Sequence, residues 1–194
     1  MTTASFDWNA PFASMDYAFD LLTTGPGQPV LPLQGLGGLD KDELPAEEVV
    51  TALRRSSPQV TDAVWRLVLA RVRAGESAWT VVAATAMAPR MIAASRRYAQ
   101  MPEHEIADID AELLACLLEQ FQHIDTASHQ IGRRLWQAVA NAACRHAYRR
   151  RAEVDQTARK LPGAATRGAG RGPVRCRAPG WGSGTVAPWP SPTS

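Results

Sequence analysis

Between residues 46 and 160 the chain holds only two glycines, Gly75 and Gly132, and three prolines, Pro58, Pro89 and Pro102. On either side these residues crowd in. Residues 1–45 carry five of each, and residues 161–194 carry seven glycines and six prolines, 13 of 34 positions. Glycine costs chain entropy inside an element and proline removes a backbone donor, so regular structure excludes both. The middle stretch is therefore the folded part and is predicted to be helical. The last stretch has too little apolar surface to offset the cost of ordering and is predicted to be disordered. The expected architecture is mostly α. A single helical-bundle domain spans 46–155, after an irregular lead over 1–45 and before a basic, disordered tail over 156–194.

Charge divides the chain at a different place. Residues 1–132 carry 9 Lys/Arg and 17 Asp/Glu, a net of −8, and residues 133–194 carry 12 and 2, a net of +10; the sum is the +2 of the whole chain. A mild average thus hides an acidic body and a strongly basic C-terminal third. No run approaches the ~18–20 apolar residues of a membrane span. No basic residue precedes Lys41, so a secretory signal is not expected. Cys116, Cys144 and Cys176 are too few and too scattered for a disulfide framework or a zinc pattern, which favours a reducing, cytoplasmic setting.

Apolar spacing places five or six helices in the body. Pro45 suits a helix start, with the helix running to about Arg55. Ser57-Pro58 opens a second, in which Val60, Val64, Leu67, Val68 and Val72 recur at helical spacing up to Gly75. Ser77 can cap the next, from Trp79 to Ala88, which is apolar nearly all round and should be central. Pro89 either kinks that helix or opens another. Ile109, Leu113, Leu117 and Phe121 then form a wide stripe, with Asp108 or Asp110 at the start. The last helix is expected from about Ser128 to Glu153, buried along Ile131, Leu135, Val139, Ala142 and Ala143. In the lead, Val30, Leu31 and Leu33 could form a short strand, which Pro29 and Pro32 would keep out of a sheet centre.

Enzyme signatures are absent. Gly35-Leu36-Gly37 has Asp40 where a dinucleotide loop needs its third glycine. Gly180-Trp181-Gly182-Ser183-Gly184 has Trp181 where a nucleophile elbow needs glycine. Cys144 and His146 are two apart and point to different sides of a helix, so no metal site is expected. Asp108, Asp110 and Glu112 read as a helix N-terminus favoured by the macrodipole, or as a carboxylate cluster. No cofactor or small-molecule substrate is indicated.

The basic end is the most suggestive feature. Arg133, Arg134, Arg145, Arg149, Arg150 and Arg151 lie on or near one helix. The planar fork of arginine suits phosphate. Trp136 and Tyr148 add rings able to stack on unpaired bases. Three readings follow from these residues: a solvated helix end complementing the dipole, a nucleic-acid face, or a docking site for an acidic protein surface.

Residues 105–151 resemble conserved region 2 of compact, extracytoplasmic-function sigma factors. The resemblance rests on Asp108-Ile109-Asp110-Ala111-Glu112-Leu113-Leu114, Leu118, Phe121 and Asp125, then on Leu135-Trp136, Ala140-Asn141 and Arg149-Arg150-Arg151. It implies an acid-started helix that meets RNA polymerase, with Asp108, Asp110, Glu112 and Glu119 toward that partner. It also implies a second helix that reads a melted, single-stranded promoter, with Arg134, Asn141, Arg145, Tyr148, Arg149, Arg150 and Arg151 toward the strand. Two features depart from the family. Trp136 and Asn141 are five residues apart rather than about seven, and no second helix-turn-helix domain follows. A longer stretch, from Asp62-Ala63-Val64-Trp65 through Ala78-Trp79-Thr80-Val81-Val82 to Leu135-Trp136, resembles uncharacterised actinobacterial helical proteins. The function expected is a non-enzymatic module binding nucleic acid, RNA polymerase, or both. The alternative is a helical protein-interaction module with no affinity for nucleic acid.

Overall fold

The computed structural model describes residues 11–33, 41–98 and 106–160. The chain order is α1 (Pro11–Thr24), β1 (Val30–Pro32), β2 (Glu43–Pro45), α2 (Ala46–Arg55), α3 (Pro58–Arg73), α4 (Ser77–Tyr98), α5 (Ile106–His123) and α6 (Ile131–Lys160). The mostly α class is as expected. The tail from residue 161 lies outside the described residues, but 156–160, assigned to it from composition, belong to α6.

The lead is more regular than its composition implied. Pro11 is the first residue of α1, a position where its missing N–H costs nothing. The next breaker is Gly25. A count taken over 45 residues averaged out this clean window. Phe12 and Met15 bury into the same core as the rest of the chain. β1 and β2 pair antiparallel, Leu31 opposite Leu44. The ladder is only three residues long, and Leu31, Leu33 and Leu44 face inward. Pro32 and Pro45 are tolerated because the sheet has two strands and each has an unpaired edge.

α4 is the axis of the bundle, in contact with α1, α2, α3, α5 and α6. Val82 to Ala88 is buried without interruption, and its alanines let neighbouring backbones approach closely. Pro89 neither ends nor splits this helix. Proline leaves the carbonyl four residues earlier without its donor. That carbonyl is Thr85 O, and the Arg54 guanidinium of α2 donates to it, while Arg54 Nε donates to Ala86 O at 3.4 Å. An arginine from another helix thus replaces the missing intrahelical bond, which is why the helix runs through.

Two more arginines act in the same way. Arg73 donates to Phe121 O and Ile124 O where α5 ends. Arg66 Nε donates to Thr126 O at 2.8 Å in the loop that follows. Unpaired carbonyls at a helix end and in a tight loop are thereby satisfied from α3.

α6 starts at Ile131, three residues later than the spacing suggested. Asp125 folds the loop by accepting from the Ala127 N–H at 2.9 Å. Gln130 is left-handed, with φ 58°. At this point Asp62 of α3, only 5% exposed, accepts from Gln130 N at 2.7 Å and Ile131 N at 2.9 Å. A carboxylate from 69 residues earlier therefore caps α6, at the end where the dipole favours negative charge. Gly132 is needed beside it: a Cβ there would stand 2.7 Å from Trp65 Nε1. Trp65 in turn packs on Phe121, ring centroids 6.3 Å apart.

Candidate nucleic-acid interface

α6 is held by Ile131, Leu135, Val139 and Ala142, all buried as their spacing implied. Trp136, Ala140 and Cys144 are buried too, so the seated side is broad. This corrects the stacking role expected of Trp136. Its indole fills the core at 8% exposure and offers no ring to a base.

The other side of α6 carries the arginines. At 100° per residue, Arg134, Asn141, Arg145 and Arg149 fall within about 80° of one another. Asn141, Arg145 and Arg149 are exposed and Arg134 is half-buried. Tyr148, Arg150 and Arg151 lie on the helix, but their side chains, like those of Ala143 and His146, are outside the described ones. Arg149 Nη2 reaches Glu112 of α5 at 3.2 Å, and Arg134 Nη1 lies 3.7 Å from Asp125 Oδ2. All four of these side chains are a third or more exposed. Solvent-exposed pairs of this kind contribute about 0–1 kcal/mol and are screened by salt, so a phosphate could replace either carboxylate.

The acids expected on one partner-facing surface of α5 are divided. Asp108 and Glu119 are exposed, and Glu112 is half-buried beside Arg149. Asp110 instead turns inward at 8% exposure, because it lies three residues before Leu113 and seven before Leu117 on the buried stripe. It cannot take part in a surface contact. Its Oδ1 has no hydrogen-bond partner, and burial raises its carboxyl above the ordinary 3.8, with the nearby Ser95 hydroxyl opposing the rise.

A raised folded-state value means the folded chain holds this proton more tightly than the unfolded chain does. The group's stabilising contribution is therefore complete at acid pH and is lost as pH rises through the raised value. Asp110→Asn should raise the thermal midpoint at pH 7, and the gain should shrink toward pH 4. Melting curves at the two pH values check this; an equal shift at both would show that ionisation is not the cause.

Cys116 is a free, half-buried thiol whose Sγ lies 3.9 Å from Ala138 O. Burial raises its pKa and Glu119 adds to the rise, with Arg145 opposing. Cys144 is disulfide-bonded rather than a free thiol, a departure from the expectation of unpaired cysteines. Cys176 and His104 lie outside the described residues.

Among the described residues, no three His, Cys, Asp or Glu side chains converge as metal ligands. None of the helices there is long and apolar enough to cross a membrane. The residues to which the sequence assigned no role are Asp62, Arg54, Arg66 and Arg73. Their partners are backbone atoms 31 to 69 residues away, for which local spacing carries no signal. No protein-family model, curated protein or solved structure matches the chain.

Proposed function

We propose that the chain is a non-enzymatic binding module in which the outer face of α6 takes single-stranded nucleic acid. The observation that carries this reading is the exposure of Asn141, Arg145 and Arg149 on a helix fixed in direction by Ile131, Leu135, Val139 and Ala142. Such a face presents guanidinium groups at a constant angle, and bidentate contacts to phosphate need that. α6 also continues to Lys160. Arg149, Ala152, Glu153, Gln156 and Thr157 are exposed along that extension, which gives a strand several turns to follow.

The sigma-region-2 resemblance would add RNA polymerase as a second partner. The exposed Asp108 and Glu119, with Glu112, would form that contact. Asp110 is not part of it.

Binding of this kind is mainly electrostatic. For single strands, each phosphate contact contributes about 0.7 to the log–log slope of affinity against salt. The double variant Arg145→Ala, Arg149→Ala should bind labelled single-stranded DNA more weakly, with a slope shallower by about 1.4. Fluorescence anisotropy at several salt concentrations measures both. Identical slopes, or no binding by the parent chain at low salt, would sink the proposal.

A second reading is favoured by the Arg149–Glu112 and Arg134–Asp125 pairs. If these charges chiefly complement each other, the module binds a protein and not nucleic acid. The anisotropy experiment separates the two.

A further inference from the structure

Four helices meet around one cleft of about 310 Å³, lined by Leu53 of α2, Trp65 of α3, Met87 of α4 and Gly132 of α6. Leu53, Trp65 and Met87 are buried side chains of the core, so this part of the wall is apolar. Charged residues line it too, but they are committed within the protein. Arg54 donates to Thr85 O and Ala86 O, and Arg133 donates to Gln130 Oε1 at 2.9 Å. Arg54, Arg90 and Arg133 each have a further interaction of their own. Both oxygens of Asp62 accept N–H groups at the start of α6. An ionic ligand would lose its hydration here and meet charges already answered, which makes its transfer costly. A neutral ligand escapes that cost.

The Trp65 indole N–H is placed differently. Indole nitrogen is a donor only, and among the described residues it donates to no acceptor. It is turned toward Gly132: a Cβ there would stand 2.7 Å from Nε1 and 3.5 Å from Cδ1. The pyrrole edge of the ring thus faces a residue of the cleft wall that has no side chain to cover it. Trp65 is only 2% exposed, so bulk water reaches the N–H poorly. A donor left without an acceptor in such a place costs free energy, and a ligand oxygen removes that cost.

We propose that this cleft binds a small neutral carbonyl compound, its oxygen accepting from Trp65 Nε1 and its apolar body against Leu53 and Met87. The volume suits a ligand of roughly one ring with its carbonyl group, at the lower end of the usual range for small-molecule pockets. The site is separate from the nucleic-acid face, since it shares none of Arg134, Asn141, Arg145 and Arg149.

The test is calorimetric titration of the full chain with acetophenone, ethylbenzene, benzoate and benzylamine. Acetophenone should bind. Ethylbenzene has nearly the same shape but no acceptor, and should bind about fivefold more weakly, the worth of one neutral hydrogen bond. Benzoate and benzylamine, anion and cation of similar size, should bind more weakly than acetophenone. Trp65→Phe keeps a ring and removes the N–H. It should bring acetophenone down to the level of ethylbenzene and leave ethylbenzene unchanged, whereas a merely structural role would weaken both alike. Ser56→Phe, at the wall of the cleft, should block acetophenone, and covers the case in which Trp65→Phe fails to fold. The proposal is overturned if acetophenone does not bind at millimolar concentration, or if ethylbenzene or benzoate binds as well as it does. It is equally overturned if Trp65→Phe weakens both neutral ligands alike, or if binding survives Ser56→Phe intact.

Discussion

Leu117→Ala should destabilise the fold by about 2–5 kcal/mol, the range for truncating a fully buried leucine. Leu117 has no exposed surface and sits midway along α5, one turn from Leu113 and one from Phe121, which are equally buried. Helices α4, α3 and α6 all pack on α5, so the space left by the side chain is enclosed from several directions and cannot easily collapse. The lost transfer energy and the residual cavity therefore add. Domains of this size are stable by only about 5–15 kcal/mol in total. The variant should accordingly unfold at a visibly lower urea concentration, with the slope of the transition unchanged. Leu118→Ala is the matched control. Leu118 is 38% exposed on the same helix and should change stability by no more than about 0.5 kcal/mol. Similar effects at the two positions would mean that α5 is rotated from the orientation described.

Asp62→Ala should cost about 2–4 kcal/mol, although it removes no apolar surface. The Asp62 carboxylate is buried and accepts from Gln130 N and Ile131 N. Removing it leaves the buried Ile131 N–H and the partly buried Gln130 N–H without an acceptor and takes a negative charge from the positive end of a helix. Ile131 has no exposed surface, so water cannot readily replace the acceptor there. Asp62→Asn keeps one side-chain acceptor and should recover roughly half of the loss, since one amide remains paired. Chemical denaturation of the two variants measures the difference. Hydrogen exchange adds a local readout: the first turn of α6 should open earlier in Asp62→Ala than α4 does. Equal losses from both variants would assign the effect to packing of the side chain and not to capping.

These two residues mark what was legible in the sequence and what was not. Leu117 belongs to a stripe repeating every three or four residues, and such a stripe has only one way to face a core. The same holds for Val64, Val68 and Val72 in α3 and for Leu135 and Val139 in α6. The mostly α class, the central place of α4 and the basic face of α6 follow from residues close to one another in the chain. α1 could be read only within its own fourteen residues, where proline stands at the first position and no glycine interrupts.

Tertiary structure decided the rest. The spacing of Asp110 from Leu113 and Leu117 turns it inward, but only the packing decided that its Oδ1 would meet no donor there. Trp136 could have faced a base and instead fills the bundle. Arg54, Arg66 and Arg73 have the composition of a solvated surface, yet each donates to backbone carbonyls of another part of the chain. Asp62 caps a helix that begins 69 residues later. Periodicity records which side of a helix is apolar, because neighbouring turns share that side. It does not record which distant carbonyl or N–H group a polar side chain will meet, because that depends on how the helices cross once they have packed.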